Sequence, residues 1–230
     1  MARHTLLDLP SIPQHIVQRG NNRPPCFLDD ADRRRYLVLL REALLSSYCA
    51  LHACVPVDNH VHILVTPPRK GYITRMMHKL GRKYVGLFNA RHGRTSSLWE
   101  GRYKLCLVGS EDYVIRCRRY IDLNPIRARI IDDPAAYRCS NCSAHCGTND
   151  ALLASHPSYL ALGRSLAERA HAYRNLLAEA LSGEDIREIR IDLQQQHALD
   201  RSDFQAMVEA KTQHFARARP AHGPYKPPES

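Results

Sequence analysis

The stretch ALHACVPVDNHVHILVT (residues 50–66) decides the fold. Residues 50–57 and 60–66 are apolar and β-branched enough for two strands. Asp58-Asn59 between them is a short turn of the kind that joins antiparallel neighbours. Pro67-Pro68 ends the second strand, because proline has no N–H for the ladder. Successive side chains of a strand point to opposite faces. His60, His62 and Leu64 therefore project one way, and Val61, Ile63 and Val65 the other. One face is apolar, and the other opens with two imidazoles side by side.

That pair has two readings. A buried histidine is usually a core residue with its hydrogen bonds satisfied. Two neutral imidazoles on one face of a strand can also hold a divalent cation between them. The pair alone does not choose.

Outward from the hairpin, HIVQRGNN (15–22) is an earlier strand ending in a Gly-Asn turn. Residues 29–48 form a helix, capped by Asp29 or Asp30, with Tyr36, Leu37, Leu40, Leu44 and Leu45 at helical spacing. A second helix covers 72–91, with Ile73, Met76, Leu80, Tyr84 and Leu87 on one face. GRYKLCLV (101–108) is a fourth strand, and Ser110 caps a third helix that stops before Pro125. The order βαββαβ is a ferredoxin-like split pattern, giving an α+β fold with one antiparallel sheet and helices against one face. After residue 133 the composition shifts. Residues 134–150 read as a connecting segment, 151–217 as a helical C-terminal extension, and the Pro-rich 218–230 as a disordered tail.

The third helix carries a second candidate group. In RCRRYIDLNPIRARI (116–130), Tyr120 and Asn124 stand four residues apart on one helical face. Arg116, Arg118, Arg119, Arg127 and Arg129 surround them in sequence, and such cations would stabilise a phenolate or a phosphate. The plainer reading is a packed tyrosine and an asparagine that finishes the helix.

Charge bears on the partner. Residues 1–150 hold 23 Lys and Arg against 13 Asp and Glu, whereas residues 151–230 hold 10 of each, so the whole surplus of +10 lies in the first two thirds. Arginine dominates there, and its planar fork suits phosphate. A polyanion is the natural partner of that region. No apolar run approaches the roughly 20 residues of a membrane helix. The N-terminus lacks the apolar core of a signal peptide. The expected location is the cytoplasm, with the eight cysteines kept as thiols. Cys139, Cys142, His145 and Cys146 look like half a zinc site, but the adjacent His145 and Cys146 are poorly spaced for one tetrahedral centre.

Four segments resemble the HUH single-tyrosine transposases of insertion sequences, and among them the REP-associated tyrosine transposases. They are HIVQRGNNR (15–23), DNHVHILV (58–65), LWEGRYK (98–104) and YIDLNPIRA (120–128). The likeness covers residues 3–147 well and the extension less specifically. Two departures stand out: Cys139 and Cys142 replace frequent aromatics, and VPVDNH stands where MPNH is usual.

The resemblance implies an HUH endonuclease fold over a catalytic domain at 1–133. It implies a metal-dependent nicking and joining enzyme acting on single-stranded or hairpin DNA through a covalent 5′-phosphotyrosine. Tyr120 matches the nucleophile. His60 and His62 match the pair that binds Mg²⁺ or Mn²⁺, and Asn124 falls where the family completes that site. Arg19, Arg23, Arg102, Lys104 and Arg119 are candidates for DNA backbone contacts. Tyr113 and Tyr137 are off the nucleophile position and read as packing. The family works as monomers or as homodimers. Two other readings stay open: a non-catalytic protein that binds repeat hairpins, and a metallohydrolase that uses water.

Overall fold

The hairpin forms around the expected turn. In the computed structural model, which describes residues 6–22, 24–214 and 216, strands β2 (Ala50–Val57) and β3 (His60–Thr66) pair antiparallel around Asp58-Asn59. A bulge between Leu51 and Ala53 shifts the register once. β1 (Gln14–Arg19) lies antiparallel beside β3, and β4 (Lys104–Val108) lies antiparallel beside β1. A fifth strand, β5 (Ala198–Leu199), joins the edge parallel to β4, giving the order β2-β3-β1-β4-β5. The sheet is therefore mixed rather than wholly antiparallel. A two-residue strand inside a stretch expected to be helical is too short to show a period of two.

Helices α1 (Asp30–Ser47) and α2 (Tyr72–His92) cover one face. The Asp29 carboxylate caps α1 by accepting from the Asp32 amide at 2.9 Å. Ile16, Val61, Ile63, Val65 and Leu105 of the sheet pack there against Leu40, Leu44, Ile73, Met76 and Leu80. Removing such side chains from water stabilises the fold by roughly 1.5–3 kcal/mol each. Tyr36, Tyr84 and Trp99 meet inside this layer, and Tyr84 donates to the Cys26 carbonyl at 2.7 Å.

Helices do not keep to that one face. On the other side lie α3 (Glu111–Asp122), the one-turn α4 (Asn124–Arg127) and, from the extension, α8 (Gly183–Gln195). Ala53, Val55, Val57, Leu64 and Val108 meet Val114, Cys117, Tyr120, Ile121 and Ile189 there. The expectation of a one-sided arrangement fails because strands buried on both faces read alike whichever face a helix takes. Four further α-helices, α5 (Cys142–His145), α6 (Pro157–Leu160), α7 (Leu166–Ala178) and α9 (Ser202–Thr212), and a 3-10 turn at Pro134–Ala136 complete the elements of the described residues.

Two glycines permit close approaches. A Cβ on Gly20 would lie 2.5 Å from the Pro24 carbonyl, where the chain leaves β1 and the Gly20 amide donates to the Asn59 carbonyl. A Cβ on Gly109 would strike Asp200 and Phe204, so only glycine lets the extension close against β4.

Candidate active site

Strand register brings the polar residues together. His60 lies opposite Arg19 and Val57, His62 opposite Val17 and Val55, and Val17 opposite Lys104. Directly paired residues share a face, so His60, His62, Arg19 and Lys104 all point toward α3. The His60 and His62 rings stand 4.8 Å apart and nearly perpendicular. Burial, with the neighbouring Arg19 and Arg127 charges, pulls His60 down to about 4. Burial holds His62 well below 6.5, helped by the adjacent histidines. Both rings are thus neutral at ordinary pH, the form that ligates metal.

α3 sets Tyr120 over this pair. Its ring lies 5.6 Å from that of His62, and the residue is only 5% exposed. The proline after Asn124 breaks the helix, because its ring clashes with the preceding turn. The chain restarts as α4, with Asn124 buried and hydrogen-bonded to His60. Arg127 then folds back, its guanidinium 4.2 Å from the centre of the Tyr120 ring, and donates to the Tyr120 carbonyl.

These residues line one cleft of about 1080 Å³, together with Arg19, Arg102 and Lys104. Arg119 does not reach it: its guanidinium is buried and donates to the Glu179 carbonyl at 2.8 Å. Arg23 lies outside the described residues. The expected ring of arginines around Tyr120 is reduced to Arg127. Arg116 pairs with Asp185 at 3.0 Å, and Arg118 is buried against Tyr159 and Tyr173.

Tyr113 bonds to Glu188 and Tyr137 to the Pro56 carbonyl, so both are packed side chains. His145 turns to Asp122 at 3.0 Å and to the His52 carbonyl at 2.9 Å, away from the half zinc site read in the sequence. Cys142 and Cys146 are buried free thiols.

Three contributors were missed. His15 bonds through Nε2 to His62 Nδ1 at 2.9 Å, and burial lowers it to about 3. Its other nitrogen has no partner. Only the β1–β3 register reveals it, and no sequence spacing could. Arg187 and Arg190 of α8 also line the cleft. Their spacing with Gln194 marks a polar helix face, a signal shared by any solvated helix.

Among the described residues, no three His, Cys, Asp or Glu side chains gather as a metal site. A cation here would take His60, His62 and the amide of Asn124. The donors fit: His60 and His62 are neutral imidazoles with ring centres 4.8 Å apart, Asn124 sits beside His60, and His15 occupies the Nδ1 of His62, leaving Nε2 for a ligand.

The sheet with helices on both faces and its polar cleft define an α+β protein. The family profile for IS200-like transposases matches residues 9–124, half of the chain, and the chain belongs to that family. A solved REP-associated tyrosine transposase bound to a REP hairpin is 16% identical, with a TM-score of 0.52 over 68% of this chain and 93% of that one. A crystal structure assigned as a transposase from Deinococcus radiodurans R1 is 18% identical, with a TM-score of 0.37 over 53% of this chain and 95% of the other. No curated protein matches the chain. No helix among the described residues is long and apolar enough to cross a membrane.

Proposed function

We propose that the protein is a metal-dependent single-strand DNA endonuclease and strand transferase of the REP-associated type. It would act on hairpin or repeat DNA, with Tyr120 as the nucleophile. The observation that carries this reading is the contact of the Tyr120 ring with His62 inside a basic cleft.

His60, His62 and Asn124 would hold Mg²⁺ or Mn²⁺, which supplies Lewis-acid polarisation of a phosphate oxygen when bound. His15 orients His62 by holding its Nδ1. Arg127 stacks its guanidinium on the Tyr120 ring and so fixes the phenol over the histidines. The phenol gives its proton to water, the phenolate oxygen attacks phosphorus in line, a P–O bond to Tyr120 forms, the bond to the 3′ oxygen breaks, and that oxygen takes a proton from water. The product is a 5′-phosphotyrosine and a free 3′-hydroxyl. Because the link keeps the phosphodiester's energy, another 3′-hydroxyl can reverse the step and join the strand elsewhere. Arg19, Arg102 and Lys104 line the path of the strand as backbone contacts.

The test is incubation with Mg²⁺ and a labelled REP-type hairpin bearing a single-stranded flank. A covalent protein–DNA adduct on a denaturing gel is expected from wild type and not from Tyr120→Phe. Cleavage without an adduct would favour a water-using hydrolase. Binding without cleavage would favour a non-catalytic hairpin binder.

A further inference from the structure

We propose that α8 is a wall of the DNA site itself, with Arg187 and Arg190 holding phosphates of a single strand across the cleft from Arg19, Arg102 and Lys104. The inference rests on the DNA-processing reading above. It adds an element that lies outside residues 9–124, the part that matches the family.

The charge layout points this way. Arg19, Arg102, Lys104, Arg127, Arg187 and Arg190 line the cleft, against the single carboxylate of Glu100. None of the acids of α8 lines the cleft: Asp185 and Glu188 turn to Arg116 on α3, and Asp192 is buried. Arg187 and Arg190 themselves are exposed. Arg190 stands near enough to Arg127 for its charge, together with the larger effect of burial, to lower that guanidinium's proton affinity. Like charges gathered around one cleft repel unless a polyanion lies among them. α8 is fixed in this position by Ile189 and Leu193, buried beneath it, and by its contacts with β4 and β1.

The shape selects a single strand. The cleft floor holds His62 at 3% and Tyr120 at 5% exposure, between α8 and the sheet. A phosphate within a rigid duplex cannot descend to a floor walled on both sides, whereas one strand can. Tyr120 and the two histidines are the only rings lining the cleft among the described residues. Grip there comes through phosphate rather than through stacked bases, so binding in the cleft should tolerate any base.

Binding of labelled single-stranded oligothymidine to the full chain, followed by anisotropy across a salt series, tests this. Each phosphate contact on a single strand contributes about 0.7 to the log–log salt slope, so R187A/R190A should flatten it by about 1.4. R187K/R190K should retain the slope. R34A/R35A removes two exposed arginines of α1, on the opposite face of the sheet, and should also retain it. A wild-type slope in R187A/R190A, or an equal loss in R34A/R35A, would overturn the role of α8. No strand binding by wild type at all would overturn the DNA-processing reading and, with it, this inference.

Discussion

Two groups of buried histidines differ in what their second ring nitrogen does. In one group, His52 spends Nδ1 on the Ala154 carbonyl and Nε2 on the Thr66 hydroxyl, both at 2.8 Å. His145 likewise spends both nitrogens, on Asp122 and on the His52 carbonyl. Tyr173 adds a bond to Asp122 at 2.8 Å, so this group ties α3 to the segments that follow it. In the other group, His15 and His62 bond to each other, and the remaining nitrogen of His62 is left at a cleft wall. The first group is closed and structural. The second is held on one side and open on the other, as a ligand site must be. Burial depresses the proton affinity of His15, His52 and His60 alike, so that property does not separate structure from function.

The contrast can be broken from either side. The largest effect is expected from His62→Ala, which should abolish Mn²⁺ binding by titration calorimetry and adduct formation together, while costing about 1 kcal/mol of stability. Asp122→Ala should do the reverse. It leaves His145 and Tyr173 without their buried acceptor and should cost about 3 kcal/mol in urea unfolding, with Mn²⁺ affinity nearly kept. His15→Phe should weaken Mn²⁺ about 10- to 100-fold without unfolding the chain, because it frees the orientation of His62 rather than removing a ligand. A loss of affinity in Asp122→Ala as large as that in His15→Phe would erase the distinction between the groups.

The smallest effect is on pH. His15, at about 3, and His52 and His60, at about 4, all lie below the ordinary 6.5. The unfolded chain therefore takes up protons that the folded one refuses. Stability is full above pH 6.5 and is lost as pH falls toward 4. Asp192 opposes this: burial raises it to about 7, so the folded state gains relative stability as pH falls below that value. Three histidines outweigh one carboxyl. The urea midpoint should drop between pH 6.5 and pH 4, and drop further in Asp192→Asn. A flat profile would contradict the burial of these imidazoles.

Much of this was legible because it is local. The alternation of HVHILVT placed His60 and His62 on one face, and the proline after Asn124 ended α3 where the cleft needs it. What was illegible is long-range. His15 acquires its role only through pairing of β1 with β3, 47 residues away. Arg119, three residues before the end of α3 and beside Tyr120, looked equivalent to Arg127, yet Arg119 turns to Glu179 from α3 whereas the break at Pro125 lets Arg127, on α4, fold back onto the phenol. α8 reaches the site from the far end of the chain, and its polar face carries no mark of what it opposes.

The central claim is that Tyr120 is the atom source of a covalent link to DNA. Peptide mapping by mass spectrometry of the adduct trapped on a cleaved REP-type hairpin tests it most directly. The account predicts a nucleotide phosphate on Tyr120 alone. A phosphate on any other residue, or a cleaved strand with no modified peptide, would contradict it.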